Sequence, residues 1–337
     1  MNYIKMSPLI GLSGFGGGAS SLTVTGGGAA FLWGGDRGII SILNSGGHVI
    51  NYVDITTTGD ATDFGDGVDG RFYYGQLGNK VRAWITGCGG SQTDAKRKLM
   101  QYVTVATTGN ATSAGDLVYP MSHVAGCCNG TRGIWGVGRD ESNTHSHKDA
   151  HIAYHDPATT GDCSDFGDLS RARYGGGAAA DATRGLFLGG YALSPYAYDD
   201  TIDYVEIGTT GNASDFGNLS HEIYWFSAAS DVTRCFKFGG AHTYNSGQDH
   251  LNVIEYVTTQ TPGNATDFGD LTRDSGNNSA MTNNSRACIA LGNTGNPNVQ
   301  MEYEIDYVDL ASAGNASDFG DMTHSQAYTG SSSGDAS

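Results

Sequence analysis

The chain is poor in basic residues. Lys and Arg number 18 against 35 Asp and Glu, a formal net charge of −17 over 337 residues. A surface of that sign repels phosphate backbones, so no nucleic-acid partner is expected. Proline is scarce, at 6 residues against 52 glycines, while aromatics make up 10% and recur at fixed places. That balance suits many short strands joined by tight turns, and it does not suit a disordered chain. Long apolar runs are missing: none approaches the roughly 18 residues of a membrane span. The opening SPLIGLSGFGGG is too short and glycine-rich for a secretory signal core. Paired cysteines are missing as well. Cys88, Cys127, Cys128, Cys163, Cys235 and Cys288 show no zinc-site spacing, and free buried thiols are expected, which favours assembly in a reducing cytoplasm. No nucleophile elbow occurs, and the Asp-Phe-Gly triplets lack the other kinase elements. No catalytic residue is nominated, and the chain reads as non-enzymatic.

One phrase, by contrast, is written six times: TTGDATDFGDG from Thr57, TTGNATSAGDL from Thr107, TTGDCSDFGDL from Thr159, TTGNASDFGNL from Thr209, TPGNATDFGDL from Thr261 and SAGNASDFGDM from Ser312. Its central glycines, Gly59, Gly109, Gly161, Gly211, Gly263 and Gly314, are spaced by 50, 52, 50, 52 and 51 residues. A fixed period of this length marks a repeat architecture. Arg82, Arg132, Arg184, Arg234 and Arg286 each follow a central glycine by 23 residues. Tyr52, Tyr102, Tyr154, Tyr204, Tyr256 and Tyr307 occupy one equivalent site, expected to pack between neighbouring sheets with the hydroxyl at the edge. Five of the six positions Phe64, Ala114, Phe166, Phe216, Phe268 and Phe319 are Phe, a repeated packing plug that leaves the second unit looser at Ala114.

The unit at residues 173–220 predicts four strands: a small-residue strand, one beginning at Arg184, an alternating one over residues 202–207, and a short one around Phe216. In the first unit, residues 30–33 followed by Gly34-Gly35 read as the second strand and SILNSGGH as a variable loop. The tail from Ala327 aligns with the strand after Arg173, and 314 + 23 = 337. The tail is therefore expected to supply the first unit's innermost strand and close a ring of six four-stranded blades, pairing an edge otherwise open. The domain division is an extension over residues 1–26 and one all-β, six-bladed propeller over residues 27–337.

Several residues are candidates for chemistry. Asp60, Asp63, Asp66 and Asp69 recur every third residue, and clustered oxygens suit calcium. The same Asn/Asp and Gly residues also make plain Asx turns with positive φ, and no other cofactor is suggested. The repeated arginines either ring a central channel as an anion site or, the favoured reading, pair with aspartates of the acid-rich turn. His145, His147, His151 and His155 share one stretch, but His151 and His155 fall at opposite ends of a predicted strand. Loops between second and third strands vary, and recognition usually lives in such loops. The binding candidates there are His145, His147, Tyr196, Tyr198 and Tyr244.

Four strands per unit of about fifty residues, Gly-Gly after the second strand and an aromatic in the third resemble the kelch class of β-propeller. The TGNATDFGDL phrase and the opening PLIGLSGFGGG resemble repeat proteins of marine tailed bacteriophages, including tail-fibre and other virion surface proteins. Trp stands in only some second strands, and the turn departs from the kelch pattern. The resemblance implies an oligomeric virion component. It would be docked to other assembly proteins through residues 1–26 and would present its loops to a host glycan or a partner protein. The alternatives are a carbohydrate-active or oxidative enzyme on the same scaffold and a subunit of an extracellular filament or surface layer.

Overall fold

A computed structural model describes residues 34–44, 47–89, 92–140, 149–242, 249–294, 300–325 and 329–336. Among them, strands dominate, and the one helix is a single turn, Asp94–Lys98, capped by Thr93. No described helix is long and apolar enough to cross a membrane.

The strands form six antiparallel blades of four. Each of the last five is contiguous, as in the fifth: Ser227–Ser230, Arg234–Phe238, Val253–Thr258 and Thr266–Asp270. The first blade takes three strands from the start of the described chain, Arg37–Asn44, Gly47–Asp54 and Thr62–Asp66, and its innermost strand from the far end, Gly330–Gly334. That strand pairs Arg37 with Gly334 and Ser41 with Gly330. The six innermost strands touch one another in a closed circuit, so the fold is a six-bladed β-propeller closed by the C-terminal strand. The innermost strands are rich in small residues, such as GAAA at Gly177–Ala180 and GSSSG at Gly330–Gly334, because six strands converging on one axis leave little room for bulk; Gln76, Leu77 and Met281 are the large exceptions.

The core is six separate layers, one between each pair of neighbouring blades. Ile40, Ile42, Val53 and Ile55 of the first blade, for example, meet Met281, Cys288 and Ile305 of the sixth. The repeated tyrosines border these layers, as expected. Five of the six pack edge-on against their blade's outer Phe, at 6.0 Å for Tyr52–Phe64 and 5.9 Å for Tyr256–Phe268. In the second blade the layer is not loose at Ala114. Trp84 stands where the fifth blade has Phe236, packs 5.0 Å from Tyr102 and shares the buried layer with Ala114. The larger indole replaces the missing ring. All six cysteines are free and buried.

The first blade corrects two expectations. Its second strand is Arg37–Asn44, which pairs with both the closing strand and Gly47–Asp54, so the SILNSGGH stretch supplies two paired strand ends, with Asn44 opposite Gly47. Residues 30–33 lie outside the described residues. The first blade simply lacks a long loop between its second and third strands. Arg37 therefore stands 15 residues before Tyr52, where Arg82 stands 20 before Tyr102, and no copy of the turn precedes it to mark it by the 23-residue spacing. Gly34-Gly35 mimics the glycine pair that elsewhere follows the second strand.

The repeated phrase does more than turn the chain. Its first half hydrogen-bonds the outer edge of the preceding blade. Gly314 N donates to Phe268 O at 2.8 Å, Ala316 N to Asp270 O at 2.7 Å, and Asn315 Oδ1 accepts from Asp270 N at 3.1 Å. The same three bonds recur at every blade junction, including Gly59 and Ala61 with Phe319 and Asp321, where Asp60 supplies the side-chain oxygen. Each exposed sheet edge is thus covered by its neighbour. Positive φ is needed at the outer-strand glycine, not generally at the turn's central one. Gly269 has φ +152, a β-bulge breaks the register opposite it, and a Cβ there would lie 2.2 Å from Gly314 O.

Candidate functional site

Because the strands alternate in direction, the repeated turns and the starts of the second strands share one face. The variable loops and the connections between blades share the other.

On the first face the arginines are structural. Each guanidinium lies over its own blade's repeated tyrosine, at 4.4 Å for Arg286 on Tyr307 and 4.3 Å for Arg82 on Tyr102. Most also reach a backbone carbonyl of the next blade: Arg37 to Val105 O, Arg132 to Ile207 O, Arg184 to Thr259 O, Arg234 to Leu310 O and Arg286 to Ile55 O. In the second blade Trp84 Nε1 makes this link, to Pro157 O at 3.0 Å. The arginines therefore neither ring the channel nor pair with the acid-rich turn. Their acidic partners are Glu206 and Asp309, which the strand register sets at the third-strand end beside the guanidinium, and Asp231 in the turn just before the strand of Arg234. Of the calcium candidates, Asp60 is engaged as a backbone cap, while Asp63 and Asp66 sit exposed on the outer strand. Among the described residues no group of three or more His, Cys, Asp or Glu is placed to hold a metal ion.

On the opposite face the channel opens through a belt of backbone in the left-handed region: Tyr73 (φ 54°), His123 (φ 53°), Gly175 (φ 70°), Trp225 (φ 56°) and Asn277 (φ 55°). The belt is hydrogen-bonded head to tail. His123 N donates to Tyr73 O, Gly175 N to His123 O, Trp225 N to Gly175 O at 2.6 Å and Asn277 N to Trp225 O at 2.7 Å. Aromatic residues in this conformation are strained, and such strain gathers at functional sites. Every belt residue stands 14 after a central glycine: 59 to 73, 109 to 123, 161 to 175, 211 to 225 and 263 to 277. The residue type in this column changes in each copy, so no recurring side chain marks it in the sequence. Constant offset with changing chemistry was the available signal.

From the belt a continuous arc of rings runs over the second to fifth blades. Tyr73 stacks on His123 at 4.0 Å, His123 meets Tyr174 at 5.1 Å, and Tyr174 meets Tyr191 at 5.7 Å. Tyr191 touches Tyr196, Tyr198 and Tyr224, and Tyr224 lies 4.2 Å from Trp225. The candidates Tyr196 and Tyr198 thus join this arc. The long second and third strands of the fourth blade, Arg184–Leu193 and Tyr196–Glu206, lift them above the sheet, and Tyr196 is 74% exposed. His145, His147 and Tyr244 lie outside the described residues. His151 and His155 sit at the two ends of one strand, as expected, with His155 buried against Trp84 and Trp135 and accepting from Trp135 Nε1 at 3.2 Å.

Below the belt the channel holds a cavity of about 130 Å³ lined by all six blades. Its lining carries no Asp, Glu, Lys or Arg. Burial, with Arg139 nearby, pushes His123 down to about 3, so its imidazole is neutral over the physiological range. The cavity is thus uncharged in its lining and aromatic-rimmed on a strongly acidic protein, with Arg139 over the rim's Tyr174 at 5.3 Å.

No protein-family model matches the chain, and no curated protein matches it in sequence. Among solved structures, that of YjhT is similar, with a TM-score of 0.61 at 12% identity over 82% of this chain and 95% of that one. At that identity the likeness concerns the fold alone.

Proposed function

We propose that the protein is a non-enzymatic structural and binding component of a virion surface, a tail fibre or spike, that presents its mouth face to a host glycan or partner protein. The observation that carries binding is the aromatic arc from Tyr73 to Trp225, on the face where the loops do not repeat. Tyrosine and tryptophan offer broad apolar faces with polar tips, the combination that recurs at recognition surfaces. The rigid frame supports this use, since neighbouring blades are stapled on both the arginine face and the outer edge. The virion setting rests on the resemblance of the repeated phrase to proteins of marine tailed bacteriophages. Residues 1–26, outside the described residues, are assigned the docking role.

A glycan array combined with a hydrolysis assay tests the recognition half. Binding without turnover, weakened at least tenfold by Tyr196→Ala together with Tyr191→Ala, is the expected result. Turnover of a bound glycan would replace the reading with an enzymatic one. Negative-stain imaging with and without residues 1–26 tests the docking half, and isolated discs in both preparations would refute it.

A further inference from the structure

The cavity beneath the belt has a feature that the arc alone does not explain. Three of its polar side-chain atoms are buried and have no hydrogen-bond partner within the protein: Ser227 Oγ, Asn278 Oδ1 and Ser331 Oγ. Ser227 and Asn278 are 8% and 6% exposed. The neighbouring polar groups are already committed. Ser279 Oγ bonds Thr329 Oγ1, Gln76 bonds Ser41 and Ser332, and Tyr74 Oη donates to Ser41 O. Unpaired buried polar atoms cost stability, so a constellation of them along one cavity marks groups that water or a bound ligand must satisfy.

Their placement has direction. Ser227 belongs to the fifth blade, Asn278 leads into the sixth and Ser331 lies on the closing strand of the first. The stacked pair Tyr73 and His123 leads into the second and third blades, across the axis from the fifth and sixth. The second- and third-blade wall therefore offers the stacked rings of Tyr73 and His123, and the facing wall combines hydroxyl and amide oxygens with Trp225 and Phe226. A volume of 130 Å³ admits roughly ten waters, the bulk of one sugar ring with its substituents.

Resting on the binding role proposed above, we infer that this cavity takes the terminal residue of a glycan, and that this residue is an uncharged pyranose. A pyranose has an apolar C–H face for the rings and equatorial hydroxyls for the opposite wall. An acidic sugar finds no cation in the lining and approaches a protein of net charge −17. An amino sugar with a free ammonium group finds no carboxylate there. Such sites combine aromatic surface with a few well-placed polar groups.

The test is saturation-transfer NMR and tryptophan fluorescence on the full chain with methyl glycosides of neutral hexoses and N-acetylhexosamines, beside uronic and sialic acid glycosides. At least one neutral glycoside should bind and perturb Trp225 emission, and acidic ones should bind at least tenfold more weakly. Ser331→Leu fills the cavity and should lose binding more than tenfold. Ser331→Ala, which adds no bulk and so keeps the test open if the leucine variant fails to fold, should weaken it several-fold. Glycan binding on an array that survives both variants would overturn the cavity assignment while leaving recognition by the mouth face intact. Preference for acidic sugars would overturn the uncharged specificity. Failure of every glycan would refute this inference together with the glycan reading above.

Discussion

The inter-blade staple can be tested by one pair of glycines that touch each other. Gly269 and Gly314 face across the junction of the fifth and sixth blades. Gly269→Ala places a Cβ 2.2 Å from Gly314 O and 2.5 Å from Gly314 C, against backbone that cannot rotate away, at a φ of +152. The junction must open, with loss of three bonds: Gly314 N to Phe268 O, Ala316 N to Asp270 O and Asp270 N to Asn315 Oδ1. At about 0.5–1.5 kcal/mol net per bond and about 1 kcal/mol or more for a non-glycine residue at positive φ, the cost is about 3–5 kcal/mol. Scaled by the typical unfolding entropy per residue, that lowers the melting temperature by about 4–7 °C. Gly314→Ala meets nothing within 4 Å and lies outside the positive-φ region. Its effect should stay within about 0.5 kcal/mol, since alanine also restricts the unfolded chain. Urea and thermal unfolding of the two variants, followed by tryptophan fluorescence, give the comparison. Equal losses in both, or a change below about 1 °C for Gly269→Ala, would refute the argument.

The seam that closes the ring should respond in the same way. Deleting residues 329–337 removes the strand paired with Arg37–Ser41 and should lower the melting temperature more than any single substitution described here, as read by calorimetry. Arg286→Lys should cost about 1–2 kcal/mol in chemical denaturation, because an ammonium cannot both stack on Tyr307 and reach the carbonyls of Ile55 and Thr56. Burial holds His155 down at about 4 against its ordinary 6.5, so between those values the unfolded chain binds the extra proton and stability falls as pH falls. At pH 5 this amounts to about 2 kcal/mol, and His155→Phe should make that part of the pH profile of unfolding shallower by that amount while leaving the contribution of His123, held down in the same sense. Tyr196→Ala, at an exposed site, should leave stability within about 0.5 kcal/mol while weakening glycan binding in titration calorimetry.

How far the chain could be read depended on what each residue answers to. The blade count came from six copies of one turn, because a repeated local sequence makes a repeated local structure wherever it lies. The recurring Tyr and Phe positions were legible for the same reason, but not that the two rings meet. Arg37 was not, because no copy of the turn stands 23 residues before it. The partners of the arginines were misjudged because acid-rich turns are near in sequence, whereas next-blade carbonyls are near only once the ring exists. At the mouth, Tyr196 and Tyr198 were marked by their place in a variable loop. Tyr73, His123 and Trp225 were hidden by their dissimilarity.

By itself, then, the sequence determined the unit: four short strands, a small-residue inner edge, a buried plug, and a strand at the far end able to close the circle. Those are properties of local pattern, and local pattern suffices for them. Only the tertiary structure decided what the repeated phrase is for. Its amides seal the edge of the blade before it, a contact between segments about 45 residues apart in every junction but the closing one, where Asp60 meets Asp321 across 261. The channel mouth was decided there too, since it exists only where six separate connections converge on one axis.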